Sequence, residues 1–129
     1  YYWKTKTFRI NSTDINRYRI MKVNILDIGG KVVKEDERYT VKDNSILNNL
    51  IVSSTDLKPG KSTSGHAHPG QEEVYNFVKG SGMMKVDEDL FSVCEGDVIL
   101  IQDGQFHQVI NDSNENLYFV CVFDGSRTH

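Results

Sequence analysis

Two cysteines, two prolines and no apolar run of bilayer length leave several protein classes without support in this 129-residue chain. Two thiols cannot staple a small secreted scaffold, and Cys94 and Cys121 lack the Cys-x-x-Cys spacing of a zinc ribbon or a redox dithiol. Both fall in β-type runs, Leu90-Phe-Ser-Val-Cys and Tyr118-Phe-Val-Cys-Val-Phe, where a thiol packs as a small buried hydrophobe. The longest apolar stretches, Val98 to Ile101 and Leu117 to Phe123, are far short of the ~20 residues of a membrane helix. A positive excess is also missing, since 15 Lys and Arg stand against 18 Asp and Glu for a net charge of −3. Such a chain has no electrostatic pull toward phosphate backbones or anionic lipid, so neither nucleic acid nor membrane is an expected partner. The opening residues Tyr-Tyr-Trp-Lys-Thr-Lys carry no apolar core and no small-residue cleavage site, and a cytoplasmic protein is expected.

Helical signal is scarce as well. No long stretch holds a 3.6-residue apolar period, and neither Gly-x-Gly-x-x-Gly nor a phosphate loop is present, which disfavours alternating strand–helix architectures. What the chain has is β-rich runs separated by short turn-rich pieces: Leu50 to Leu57, Glu73 to Lys79, Gly82 to Val86, Asp89 to Cys94, Asp97 to Ile101, His107 to Ile110 and Leu117 to Phe123. Seven of the 10 glycines lie between residues 60 and 104, mostly at the ends of those runs. The reading is an all-β jelly-roll or sandwich. Residues 1–48 are less ordered in pattern, with short strands expected at Lys6 to Ile10, Tyr18 to Ile25 and Glu37 to Val41, and an apolar segment broken by Gly29-Gly30. Asp43 to Leu50 reads either as one helical turn or as an irregular connection. The division is therefore 1–48 as N-terminal strands packing on the barrel or on a partner, 49–124 as the barrel, and 125–129 as a tail.

Three of the four histidines, His66, His68 and His107, fall in the β-rich part. In a strand, His-x-His puts both imidazoles on one face, because side chains alternate with a period of two. Glu73 opens the next strand with Tyr75 and Phe77 on its own face, and His107 opens a later one. Three neutral imidazoles and one carboxylate suit a divalent first-row transition metal with open coordination positions. That ligand set does not separate iron, manganese, nickel, cobalt, copper and zinc. Tyr75, Phe77, Met84, Phe106 and Val109 are candidates for the wall of the site or for plain core, and Gln71 and the terminal His129 are secondary candidates. A phenol at Tyr75, about 7 Å along the strand from Glu73 at ~3.3 Å per residue, is placed to act on a ligand as a general acid.

The spacing matches two known motifs. Gly60, His66-Ala-His68, Glu73 and Gly80 follow the first cupin motif, and Gly96, Gly104, His107 and Asn111 follow the second, with Gln102 standing where the family has proline. The chain therefore resembles a single-domain cupin. The resemblance implies a double-stranded β-helix barrel with His66, His68, Glu73 and His107 as metal ligands inside it. Glu72 is the competing carboxylate, and the six-residue gap to Gly80 selects Glu73. Asn111 reads as structural, and the missing proline frees a backbone N–H in the turn before His107.

The function expected from this is a metal-dependent enzyme acting on a small oxygenated metabolite, carbohydrate-like or a keto or hydroxy acid, by isomerase or lyase chemistry with the metal as Lewis acid. The alternatives are a metal-dependent dioxygenase and a non-catalytic metal and small-molecule binder. Lys61, Lys79 and Lys85 are the basic side chains near the motifs and form no phosphate pocket. The aromatic N-terminal segment, with Tyr1, Tyr2, Trp3, Phe8 and Tyr18, is the basis for expecting a homodimer.

Overall fold

Alternation carries the fold. Strand β4 (Glu73–Lys79) buries Glu73, Tyr75 and Phe77 and leaves Val74, Asn76 and Val78 half-covered on its other side, as a period of two requires. The structure is a computed structural model, and it describes residues 21–126. Within them run β1 (Lys31–Glu35), β2 (Tyr39–Asn44), β3 (Leu50–Leu57), β4, β5 (Ser81–Val86), β6 (Asp89–Cys94), β7 (Val98–Ile101), β8 (His107–Ile110) and β9 (Leu117–Asp124). No described residue is helical. The strands form a six-stranded sheet, ordered β1-β2-β3-β9-β4-β7, and a three-stranded sheet, β6-β5-β8, with every pairing antiparallel. Tyr39, Leu57, Tyr75, Phe77 and Phe119 of the large sheet pack with Met84, Val93 and Val109 of the small one in a single core.

The all-β barrel is thus as the sequence implies, with differences at its N-terminal side. Residues 21–25 form no strand where Tyr18 to Ile25 was expected, and β1 begins only after Gly30. Strand β2 starts later than Glu37, because Asp36 and Arg38 are taken up in a turn in which Asp36 Oδ1 accepts the Arg38 N–H at 2.8 Å. The stretch after β2 is an irregular connection rather than a helical turn. Asn44 holds it, donating to the Ile28 carbonyl at 2.7 Å and accepting from the Ile46 N–H at 3.1 Å. Strands β1 and β2 extend the same sheet that contains β3. The candidate strand Lys6 to Ile10, the N-terminal aromatics and His129 lie outside the described residues.

Cys94 is a correction: its thiol is exposed, while Cys121 is buried on β9. Leu90, Ser92 and Cys94 fall on the outer side of β6 and Val93 on the inner, so the strand's alternation sends this thiol outward.

Candidate metal centre

His107, the first residue of β8, is 2% exposed at its side chain and is oriented by the turn before it. Its Nδ1 lies 2.9 Å from the Gln105 carbonyl. A carbonyl only accepts, so Nδ1 carries the proton and, in the neutral ring, Nε2 presents a lone pair. The turn that supplies this carbonyl uses the N–H that a proline at position 102 would have removed. Gln102 donates it to Gln105 Oε1 at 2.9 Å, and Gln105 Nε2 in turn donates to Asp87 Oδ2 at 3.0 Å. Asp87, at a positive φ of 51° in the β5–β6 turn, also accepts the Phe106 N–H at 3.0 Å. The departure from the family pattern at Gln102 therefore leaves the turn pinned by other means. Gln105 and Asp87 carried no signal in the sequence, since their role depends on a contact between two distant turns.

His66 and His68 do not sit in a strand, as the alternation argument assumed. Residues 61–66 run beside β8 without forming a full ladder: the Thr63 N–H donates to the Val109 carbonyl at 2.9 Å, and His66 and His107 exchange backbone hydrogen bonds at 3.2 and 2.9 Å. That bridge brings the rings of His66 and His107 to 4.7 Å between centroids, with His68 4.5 Å from His66. One ligand atom from each of the three imidazoles lies within 4.8 Å of the others.

Glu73 approaches from the opposite sheet, 4% exposed at its side chain, with Oε1 3.3 Å from His107 Nε2. A carboxylate oxygen and a lone pair at that distance repel unless a proton or a cation lies between them. Nε2 of His107 is also buried without a hydrogen-bond partner. A divalent cation answers both conditions, and the residues present fit one. Glu72, one residue earlier, is exposed.

The cluster faces a cavity of about 170 Å³ lined by His66, His68, Glu73 and Tyr75, with Phe119, Cys121 and Phe123 behind them and Ser53, Thr55 and Thr63 supplying hydroxyls. Tyr75 stacks on Phe119 at 5.5 Å and lies edge-on to His107 at 5.7 Å. Of the other wall candidates, Phe77, Met84 and Val109 are core. Phe106 covers the backbone of Gly65, where a Cβ would come within 2.2 Å of its ring. The cavity is also lined by residues that sequence reasoning missed: Lys34, Tyr39 and Val41, from the strands added to the sheet's far edge. Beside them the Arg38 guanidinium is committed elsewhere. It hydrogen-bonds Asp36 at 2.8 Å, the Tyr39 hydroxyl at 3.0 Å and Ser64 Oγ at 3.0 Å, and its hold on Asp36 draws that carboxyl down to about 2.

The comparisons with known proteins agree with this architecture. A family model described as Cupin domain matches residues 53–123. An uncharacterized protein of Methanocaldococcus jannaschii is 28% identical, covering 70% of this chain and 85% of that protein. The oxalate-binding protein of Thermotoga maritima is 26% identical across 88% of this chain and 90% of its own. Among solved structures, Bacillus subtilis oxalate decarboxylase, a protein with Mn(II) centres, superposes with a TM-score of 0.67 at 22% identity, over 77% of this chain and 29% of that one. At that identity the likeness is one of fold.

Proposed function

The chain belongs to the cupin domain family, and from that premise we propose that it holds one divalent transition metal on His66, His68, Glu73 and His107 and acts on a small carboxylate or related oxygenated metabolite. The observation that carries the reading is the pairing of a tautomer-locked His107 with a buried Glu73 oxygen 3.3 Å from its Nε2, beside a cavity that Glu73 lines. Bound there, the metal supplies Lewis-acid polarisation of a carbonyl or carboxylate oxygen. The cavity, about 170 Å³, is smaller than the ~300 Å³ at which sites for drug-sized ligands begin, which favours a compact acid over a bulky sugar phosphate. Tyr75 lines it beside the cluster, and we assign to its phenol the donation of a proton or hydrogen bond to an oxygen of the ligand. The reaction class proposed is lyase or isomerase.

The second reading, a binder without turnover, is favoured by the relative in Thermotoga maritima, which is named for binding oxalate. One experiment separates the two. Protein purified without chelators is assayed for metal by elemental analysis and then incubated, metal-loaded, with small keto, hydroxy and dicarboxylic acids while substrate loss is followed by NMR. About one metal per chain with substrate consumption supports the enzyme, one metal with saturable binding and no consumption supports the binder, and no metal sinks both.

The proposal extends to setting and assembly. An exposed thiol at Cys94 suits a reducing compartment such as the cytoplasm. Exposed apolar residues on edge strand β7, Val98 and Leu100, suit a homodimer.

A further inference from the structure

Lys34 reaches the metal cavity because of an irregularity in β1. Val32 stands opposite Lys42, but the next pair is Lys34 with Val41, so Val33 is an extra residue in the strand. In an unbroken ladder Val33 would face Val41 and Lys34 would face Thr40. Thr40 belongs to the row Thr40–Asp56–Tyr118 on the outside of the barrel. Val41 belongs instead to the row Val41–Thr55–Phe119–Phe77, on the side that holds the cavity and the core. A β-bulge of this kind re-aims one side chain from one face of a sheet to the other, and bulges gather at barrel rims and beside active sites.

The residue so re-aimed is a cation. Lys34 lines the cavity together with His66, His68, Glu73 and Tyr75, and among the described residues lining it no other Lys or Arg is found. Its Nζ lies 5.5 Å from the centre of the Tyr39 ring, an aromatic neighbour that holds the ammonium without neutralising it. The nearby Arg38 is already paired with Asp36. A single ammonium lining the same cavity as His66, His68 and Glu73 suits a ligand that carries negative charge at the end away from a metal held by those residues.

We propose that Lys34, turned inward by the β1 bulge, is the specificity-determining residue that selects a small carboxylate ligand for the metal site. The inference rests on the metal-dependent reading above and deepens it. One ammonium beside the hydroxyls of Ser53, Thr55, Thr63 and Ser64 matches the charge of a carboxylate, whereas a phosphate ester calls for several cations or a nest of N–H groups.

The test uses the full chain loaded with Mn(II), oxalate as the probe and neutral oxamide as its isostere, with binding followed by calorimetry. The wild type is expected to bind oxalate well and oxamide poorly. Lys34→Met should keep its metal content and melting temperature while its Kd for oxalate rises on the order of tenfold to a hundredfold, the loss of one charge-assisted contact. Lys34→Arg should recover most of that loss. Oxalate binding unchanged in Lys34→Met, or a metal-loaded wild type that does not distinguish oxalate from oxamide, overturns the role of Lys34 while leaving the metal site standing. Failure of the wild type to hold Mn(II) at all would instead overturn the metal reading, and this inference with it.

Discussion

His107 shows how far a single side chain is specified by its neighbours. Its proton is fixed on Nδ1 by the Gln105 carbonyl, and its other nitrogen faces Glu73 from across the barrel. If these two residues hold a metal with His66 and His68, replacing any one of the three histidines with Ala should remove most of it, while Glu72→Ala, at an exposed position, should leave the content intact. Elemental analysis of the purified variants decides this. A full complement of metal in His107→Ala, or metal lost from Glu72→Ala and kept in Glu73→Ala, would redraw the ligand set. Imidazole must be neutral to coordinate, so metal affinity should fall as pH drops through the ~6.5 at which a free imidazole protonates. At the same scale, Tyr75→Phe removes a hydroxyl and little volume. It should leave metal content unchanged and, once a substrate is in hand, lower turnover by ~10² if the phenol donates to a developing oxyanion. Unaltered kinetics would assign Tyr75 to packing against Phe77 and Phe119.

Among the elements, the 61–66 segment and β8 matter most, because together they set the distances within the cluster. Their far end is tied down by Asn111, a fully buried residue whose Nδ2 donates to the carbonyls of Leu57 at 3.0 Å and Glu115 at 2.7 Å. Its Oδ1 accepts from the Ser113 N–H at 3.0 Å and from the Ser113 hydroxyl at 2.7 Å. One side chain thus links the end of β3 to the loop between β8 and β9. Asn111→Ala strands several of these groups away from water and should cost about 2–4 kcal/mol in urea unfolding. The exposed neighbour Asp112→Ala should stay within about 0.5 kcal/mol of the wild type. Equal stability of the two variants would show that water reaches the loop and replaces the amide. Gly80 belongs to the same region: its φ of 92° and the Asn116 carbonyl 2.5 Å from where a Cβ would stand exclude other residues from the β4–β5 turn.

For the molecule as a whole, the outer face of the large sheet carries exposed apolar side chains on β7. The register lines up Leu100 with the half-buried Val74, Val122 and Val52 across β7, β4, β9 and β3, and Val98 stands beside Asn76 in the next row. Leu100 is 70% exposed and Val98 54%, both on the strand that edges the sheet among the described residues. The homodimer proposed above would lay a second copy against this face and cover Leu100 and Val98. Sedimentation at micromolar concentration should therefore give about twice the 14.7 kDa chain mass, and Leu100→Lys should halve it without loss of metal. A wild-type mass of one chain would exclude the dimer, and a dimeric Leu100→Lys would move the interface to another face.

The strands from residue 50 onward were legible in the sequence because a half-buried strand writes its period directly into the chain, and β3, β4, β6 and β8 begin and end where that alternation does. The metal-ligand candidates were legible for a related reason: the spacing of His66, His68, Glu73 and His107 repeats a pattern whose glycines mark turns, and the turns fix where the next side chain falls. The sequence could not show how these parts meet. His66 and His68 lie near His107 through an isolated backbone bridge rather than a pleated strand, and the tautomer of His107 depends on a turn clamped by Asp87 from another hairpin. Lys34 was invisible as a cavity-lining residue, because its face depends on a one-residue bulge that can be defined only against the partner strand β2. Local periodicity fixes which residues share a face of their own strand. Only the pairing of strands far apart in the chain decides which of those faces look into the same cavity.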